Sequence, residues 1–198
     1  QTRSCKESIK IDGRLNEKIW SELPIANNFI QTIPSPDKPS NFNTEVRITY
    51  TNTSIIIGAR MMQNESMHSR QICTRDGCFN VNADIFSVFF DTYDDHQNGF
   101  VFRVSSAGVQ QDERLSMGEE SGDVSWDAVW ESSVSIEADA WTVEMEIPFS
   151  ALRFSIAEEM QWGLNFLRQV RKLNENSYWN KIDVQKQGFL AQSGLLKG

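Results

Sequence analysis

A strand that stops at a proline is the feature that most constrains the fold of this chain. In residues 141–147, large apolar side chains alternate with polar ones, which are Thr142, Glu144 and Glu146. This period of two residues is typical of a β-strand with one apolar side and one side that faces water. Pro148 has no backbone N–H, so it suits the end of a strand. The segment therefore predicts a strand whose polar side chains are solvated.

Strand signals recur along the rest of the chain, with turn residues between them. Residues 85–90 are apolar on both sides, as in a central strand, and Asn98-Gly99 is typical of a hairpin turn. The best helix candidate is Leu15–Leu23. Strands are predicted over residues 46–50, 55–62, 84–93, 100–105, 109–116, 128–136, 141–147 and 161–171. The pattern predicts an all-β fold, an antiparallel two-sheet β-sandwich with one or two short helices.

Length and composition fit one domain. The chain has 198 residues, of which 39% are hydrophobic, enough to bury a sizeable core. No linker or low-complexity tract interrupts it, so residues 1–198 are predicted to form a single β-sandwich domain. No apolar run could cross a bilayer and no signal-peptide core is present, so we expect a mature chain or one excised from a longer precursor.

The charge of the chain argues against a nucleic-acid partner. Its formal net charge is -8 and its pI is about 4.8. Phosphate binding needs a concentrated basic face, whereas the 19 Lys and Arg residues are scattered. We therefore expect no nucleic acid among the ligands.

The three cysteines match neither a zinc site nor a dense disulfide framework. Cys73 and Cys78 flank a plausible turn and could form a disulfide in an oxidising periplasm, if the backbone brings them close enough. The alternative is that both are reduced. The odd count leaves at least one cysteine outside any such pair, and Cys5 is the remaining one.

Catalytic motifs are missing from the sequence. His68 and His96 are its only histidines, and neither lies beside a nucleophile motif. Walker and dinucleotide-binding loops are absent too. Paired carboxylates are abundant, but sequence spacing cannot show that two of them flank a cleft. We expect a protein that is not an enzyme.

One acidic segment partly resembles a calcium-binding loop. Residues 94–99 carry oxygen-bearing side chains before a glycine, but the position of the distal bidentate carboxylate falls on Ser105, which excludes an EF-hand. A different, structural calcium site remains open, and its predicted ligands are Asp84, Asp91 and Asp94, with Asp12 as a further candidate. The alternative is that these residues only form turns.

The six tryptophans divide into core residues and ligand candidates. Trp20, Trp141 and Trp162 lie at the spacing of apolar faces, so they are predicted to be buried. Trp126, Trp130 and Trp179 lie near polar or turn-rich segments. A flat aromatic ring can lie against the C–H face of a sugar, so these three are candidates for sugar stacking.

The order of these motifs resembles that of the family-9 carbohydrate-binding-module-like domains. The similar segments span nearly the whole chain: residues 11–20, 44–50, 84–91, 102–104, 141–154 and 162–166, and Trp179. In sugar-binding members, two tryptophans enclose a terminal sugar and an arginine bonds its hydroxyls. The resemblance places Trp179 and Arg103 in two of these roles. The other tryptophan is replaced here, and Phe79 is the residue that could supply its wall.

A closer resemblance is to the subgroup in which such a domain precedes a C-terminal outer-membrane barrel-like region in Bacteroidetes-type proteins. Arg75-Asp76 and residues 102–112, 126–130 and 152–154 are similar to that subgroup, and the chain is then expected to be the N-terminal part of a longer protein. The resemblance implies a periplasmic or outer-membrane location.

Taken together, these resemblances imply non-catalytic binding of an oligo- or polysaccharide in the bacterial cell envelope, as in polysaccharide catabolism. Aromatic stacking and planar hydrogen bonds would hold the sugar. The predicted contacts are Trp179, Arg103, Arg75, Asp76, Phe79 and Trp126. Arg75 and Asp76 could instead form a structural ion pair. Two alternatives are an accessory or interaction domain of an outer-membrane protein without a sugar ligand, and a module attached to a glycoside hydrolase.

Overall fold

The fold of the chain is all-β. The computed structural model describes residues 2–5, 8–77, 81–116, 122–154 and 160–197. Their strands are β1 (Arg3–Ser4), β2 (Ile30–Ile33), β3 (Thr44–Tyr50), β4 (Ser54–Met62), β5 (Ile85–Asp91), β6 (Gly99–Ser105), β7 (Gln110–Leu115), β8 (Glu131–Ile136), β9 (Ala140–Pro148), β10 (Gln161–Val170), β11 (Glu175–Tyr178) and β12 (Gly194–Lys197). The helix α1 covers Lys18–Glu22, and short 3₁₀ turns cover Glu65–Met67, Phe149–Ala151, Arg171–Leu173 and Leu190–Gln192.

The strands form two sheets, as predicted. One sheet has five strands in the order β1-β3-β4-β9-β8, and the other has seven, with the path β2-β11-β10-β5-β6-β7. Along one side of β10, β12 pairs with the first half and β11 with the second half. All described pairings are antiparallel except that of β1 with β3. The predicted antiparallel β-sandwich is thus confirmed.

The main core lies between the sheets. Alternate side chains of β4 and β9 meet those of β5, β6 and β10, and Trp141 and Trp162 are both buried among them. Trp130 is buried there as well, and it donates its indole N–H to Asp112 Oδ1 over 3.1 Å. Trp126 packs against this core from its edge. The period-two pattern of the sequence therefore places most of the aromatic residues inside the sandwich.

The outer face of the five-stranded sheet is covered by the segment that leads into α1. A second apolar cluster lies there, with Ile9, Trp20 and Ile56 among its buried members. Thr142 and Glu144 of β9 are consequently 0% exposed. The prediction that this side of β9 faces water is wrong for these two residues, because the covering segment comes from a distant part of the chain. Glu146, further along β9, is half-buried.

Glu144 anchors the covering segment. Its carboxylate accepts hydrogen bonds from the backbone N–H groups of Asp12 and Gly13, over 3.0 and 2.8 Å. It also accepts one from Trp20 Nε1 over 3.0 Å. Burial raises the pKa of Glu144; the three hydrogen bonds oppose that shift and the nearby charge of Glu17 adds to it.

Two glycines allow this segment to lie close to the sheet. At Gly58, a Cβ atom would come within 2.7 Å of Leu15 Cδ2 and 2.9 Å of the Trp20 ring. Gly13 has a φ of +82° and lies against the backbone of β8, so a side chain there would be both strained and crowded. Trp20 is 2% exposed, which confirms its predicted burial. The helix around it is shorter than the predicted Leu15–Leu23.

A buried arginine fills one end of the space between the sheets. Arg168 of β10 is 1% exposed. Its Nη1 atom donates to Asn43 O and Thr44 Oγ1, over 2.8 and 3.0 Å, and its Nη2 atom donates to Met62 O and Gln63 Oε1, over 2.8 and 2.9 Å. Burial lowers its pKa to about 10, which still leaves the guanidinium charged at neutral pH. Arg168 therefore connects the two sheets directly.

The cysteines occupy different environments. Cys73 is disulfide-bonded. Its predicted partner, Cys78, lies outside the described residues. Cys5 is buried in the apolar cluster beneath the covering segment. Among the described helices, none has the length and apolar character needed to cross a membrane.

Candidate functional site

Arg103 lies on the outer face of the seven-stranded sheet, near the middle of β6. Its Nε atom donates to Glu113 Oε1 over 2.8 Å, and its Nη1 atom donates to Ser87 Oγ over 3.2 Å. The guanidinium carbon lies 5.5 Å from the centroid of the Phe89 ring, which is cation–π geometry. The side chain is 14% exposed. The result is an oriented planar donor held between an anion and an aromatic ring.

Three aromatic rings form a cluster beside Arg103 on the same face. The ring of Phe89 lies 6.3 Å from that of Tyr178 and 4.8 Å from that of Phe189, and Tyr178 and Phe189 are 5.7 Å apart. Burial raises the pKa of Tyr178, and the charge of Arg103 opposes that shift. The phenol therefore stays protonated at neutral pH. Tyr178 and Phe189 are both half-buried.

Gln111 adds a polar group that the sequence analysis did not single out. It pairs with Arg103 across β6 and β7, so both side chains lie on the same face. Its Nε2 atom donates to Glu113 Oε1 over 2.8 Å, the same atom that accepts from Arg103. Its Oε1 atom is buried, and no described residue donates a hydrogen bond to it. The sequence could have indicated Gln111, because the Ala107-Gly108 turn sets the register of β6 and β7 and thereby places Gln111 opposite Arg103.

Trp179 does not share this face, which corrects the predicted pairing of Trp179 with Arg103. Tyr178 lies opposite Leu167 in the register of β10 and β11, on the outer face. Trp179 comes one residue later and packs on Phe166 of the main core, with the ring centroids 5.4 Å apart. Because side chains alternate along a strand, a step of one residue changes the face. Tyr178 is the aromatic residue of β11 that accompanies Arg103.

Arg75 and Asp76 lie at the edge of β7, where they hold the neighbouring segments together. Arg75 Nη2 binds Asp112 Oδ1 over 2.7 Å and Asp127 Oδ1 over 3.1 Å. Its Nη1 atom donates to Gln110 Oε1 over 2.7 Å. Asp76 Oδ1 accepts from the backbone N–H of Asp112, and Asp76 lies 3.6 Å from Arg75 Nε. These contacts agree with the alternative stated in the sequence analysis, in which Arg75 and Asp76 form a structural ion pair.

Asp76 is an acid in a crowded environment. Burial raises its pKa, and the charges of Asp112 and Asp127 add to the shift, while the hydrogen bond from the Asp112 backbone and the charge of Arg75 oppose it. Arg75 also lines an open groove of about 610 Å³ between β7 and β8. The side chain of Arg75 is 40% exposed.

The remaining predicted contacts lie elsewhere. The ring of Trp126 packs 5.0 Å from that of Phe100 and 5.9 Å from that of Phe102, at the edge of the core. Phe79 lies outside the described residues. The structure therefore does not bring Trp179, Trp126, Arg75 and Arg103 together into one site.

The predicted calcium ligands are only partly brought together. Asp91, Asp94 and His96 each offer one ligand atom, and these atoms lie within 4.8 Å of one another. Both Asp91 oxygens already accept backbone hydrogen bonds, from Asp95 and His96. Asp84 lies seven residues away along the chain, about 23 Å in an extended strand. Its carboxylate accepts hydrogen bonds from Gln63, Ser69 and Arg171.

Comparison with solved structures identifies the architecture. A family-9 carbohydrate-binding module from Caldicellulosiruptor kristjanssonii in complex with glucose matches with a TM-score of 0.69 and 13% identity, over 98% of this chain and 93% of that one. The chain has the family-9 fold. The module in complex with cellotriose matches with a TM-score of 0.68 and 14% identity, over 99% of this chain and 92% of that one.

A further similar structure comes from Bacteroides uniformis. It is provisionally named a carbohydrate-binding protein, and it matches with a TM-score of 0.73 and 15% identity, over 99% of this chain and 96% of that one. No protein-family model matches the chain, and a comparison with curated proteins finds no significant match. At these identities the likeness describes the fold, and the ligand has to be argued from the site.

Proposed function

We propose that this domain binds carbohydrate without catalysis, on the outer face of its seven-stranded sheet. The observation that carries the proposal is the position of Arg103, which is oriented by Glu113 and Ser87 beside the aromatic cluster of Phe89, Tyr178 and Phe189. The similar modules from Caldicellulosiruptor kristjanssonii were solved with glucose and cellotriose, which supports the same ligand class here.

The chemistry of this face fits a sugar in two ways. The half-buried Tyr178 and Phe189 offer ring surface for the C–H groups of a pyranose. The buried carbonyl oxygen of Gln111 has no donor among the described residues, and a sugar hydroxyl would supply one once a covering side chain has moved aside. Glu113 balances the charge of Arg103. The face therefore suits a neutral oligo- or polysaccharide.

The second candidate function is an accessory or interaction domain of an outer-membrane protein that binds no sugar. One observation favours it: Arg103 is only 14% exposed and is already bonded to Glu113 and Ser87, so a ligand would have to compete with protein partners. Attachment to a glycoside hydrolase would be compatible with either function.

The proposal includes the cell envelope as the location, in the periplasm or at the outer-membrane surface. The disulfide of Cys73 supports an oxidising compartment. A C-terminal outer-membrane barrel region of the same polypeptide is part of this proposal, on the strength of the sequence resemblance. A structural calcium ion is proposed at Asp91 and Asp94, because oxygen ligands suit that ion.

Calorimetry with a panel of mono- and oligosaccharides tests the function, first with calcium and then with chelator. Tyr178→Ala is compared with Trp179→Ala, an adjacent aromatic residue on the opposite face. We expect saturable binding by the wild type, weakened at least about tenfold in Tyr178→Ala, since ring stacking and buried ring area are both lost. Trp179→Ala should bind like the wild type.

Each other result has a definite meaning. Loss of binding in Trp179→Ala alone would show that the sugar-binding site lies on the side of Trp179, and it would contradict the assignment of Tyr178. No binding of any sugar by the folded wild type would favour the interaction domain. A chelator that changes neither affinity nor melting temperature would remove calcium from the proposal.

A further inference from the structure

The two ends of the sandwich are built differently. Arg168 fills the space between the sheets at one end. At the other end, where the turn between β3 and β4 meets β12, the sheets form a cavity of about 380 Å³ that is partly open to solvent. This volume lies within the range of pockets that hold small organic ligands, about 300–1,000 Å³.

Aromatic rings form one wall of this cavity. The rings of Phe154 and Trp162 have centroids 5.2 Å apart at an interplanar angle of 54°. The ring of Phe149 lies 5.8 Å from that of Phe154 and 6.3 Å from that of Trp162, both in edge-to-face geometry. Phe149 and Phe154 are half-buried, so part of this wall is reached by solvent. The three rings thus pack against one another in tilted and edge-to-face pairs.

The facing side of the cavity is apolar at its base and polar towards solvent. Ile55 and Leu196 contribute aliphatic side chains. Tyr50, Thr51 and Asn52 line it near the turn, where Asn52 is exposed. Among the described residues that line the cavity, none carries a charge. An ionised ligand would lose its hydration there without gaining an ion pair.

We propose that this cavity is a second binding site, for a neutral aromatic molecule that carries a hydroxyl group. A ligand ring would continue the edge-to-face packing of Phe149, Phe154 and Trp162, the arrangement that aromatic pairs prefer. Its hydroxyl group would point to the solvent end, within reach of the amide of Asn52. The described part of the lining offers no charged partner, so we expect carboxylates, sulfonates and amines to bind more weakly.

This site is separate from the proposed sugar site. Trp162 faces the inside of the sandwich, whereas Arg103 and Tyr178 lie on the outer face of the same sheet. The two ligands would occupy opposite sides of β10 and its neighbours, so they would not compete. The proposal is independent of whether the domain binds carbohydrate.

Calorimetric titration with 2-naphthol tests the proposal, and 2-naphthalenesulfonate serves as the charged analogue with the same ring system. The blocking variant is Leu196→Trp, which fills the cavity from β12. The control is Leu195→Trp, since Leu195 is 50% exposed and pairs with Gly163, on the other side of the sheet. We expect 2-naphthol to bind the wild type and the control alike, and to bind the blocking variant at least about tenfold more weakly. The sulfonate should also bind at least about tenfold more weakly than 2-naphthol.

Methyl NMR of the wild type gives a test that needs no variant. Saturating 2-naphthol should shift the methyl signals of Ile55 and Leu196 and leave those of Val101 and Leu167, on the outer face, unchanged. The proposal is overturned if 2-naphthol does not bind saturably, if the sulfonate binds equally well, or if the shifts appear at Val101 and Leu167 instead. Equal binding by a folded Leu196→Trp variant would overturn it as well.

Discussion

Replacing Glu144 with alanine tests how the segment before α1 is held on the five-stranded sheet. Glu144 is 0% exposed and accepts hydrogen bonds from the backbone of Asp12 and Gly13 and from the indole of Trp20. The Glu144→Ala substitution removes all three acceptor contacts at once. The N–H of Gly13 then loses this acceptor, whereas the indole of Trp20 keeps its hydrogen bond to Glu17 Oε2, over 3.1 Å.

The expected cost can be worked out from these bonds. A buried donor that loses its acceptor costs about 1–3 kcal/mol. For the Gly13 N–H this gives about 1–3 kcal/mol, and the Trp20 indole, which keeps one of its two acceptors, adds about 0.5–1.5 kcal/mol. Release of the buried carboxylate into water offsets part of that cost, so we expect a loss of about 2 kcal/mol in the free energy of unfolding. For a chain of this length the melting temperature should fall by about 4–8 °C.

The pH dependence of the loss provides a second check. The pKa of Glu144 is raised above its ordinary value by burial. A group with a raised pKa in the folded state contributes stability that is fully present below its unfolded pKa, 4.5, and is lost as the pH rises through the folded pKa. The alanine variant lacks this contribution. The difference between wild type and variant should therefore be larger near pH 4 than near pH 7.

Urea unfolding at both pH values, followed by tryptophan fluorescence, measures these quantities. The matched control is Glu146→Ala, which truncates the same residue type two positions along β9, where the side chain is half-buried. The control should lose less than about 1 kcal/mol. The reasoning is refuted if Glu144→Ala costs no more than the control, or if its cost is greater near pH 7 than near pH 4.

Two further substitutions test the packing of the fold. Arg168→Met should lower the free energy of unfolding by about 2–4 kcal/mol, because the carbonyl oxygens of Asn43 and Met62 lose their donor. The control is Arg171→Met, at an exposed position. Equal melting temperatures for the two variants would contradict the role of Arg168. Gly58→Ala should cost about 1–3 kcal/mol through overpacking against Trp20; a gain in urea midpoint would show that the covering segment can move away without loss.

The sandwich could be predicted from the sequence because its strands carry a strong period-two signal. In β9, the apolar residues 141, 143, 145 and 147 all face the main core, as the alternation requires. The same alternation wrongly predicted that Thr142 and Glu144 are exposed to solvent, whereas both are buried. Whether the second side of a strand faces water depends on a covering segment about 130 residues away, and no local pattern carries that information.

The candidate site was harder to predict, because it depends on register and on strand length. A single step along β11 separates Trp179, which packs on Phe166, from Tyr178, which lies beside Phe89. The residue type favours Trp179 as a sugar contact, but the face of the sheet on which a side chain lies determines which residue is next to Arg103. In the same way, the opposite ends of β5 keep Asp84 apart from Asp91, although both looked equally suitable as ligands.

The buried guanidinium of Arg168 also has a consequence for the folding kinetics. Its acceptors lie 105 to 125 residues away along the chain, in and beside β3 and β4 of the opposite sheet. Such contacts require the closure of long loops, so we expect them to form late in folding. An interaction that is absent from the transition state acts on the unfolding rate. We therefore expect Arg168→Met to raise the unfolding rate and to leave the folding rate nearly unchanged, as stopped-flow unfolding and refolding would measure.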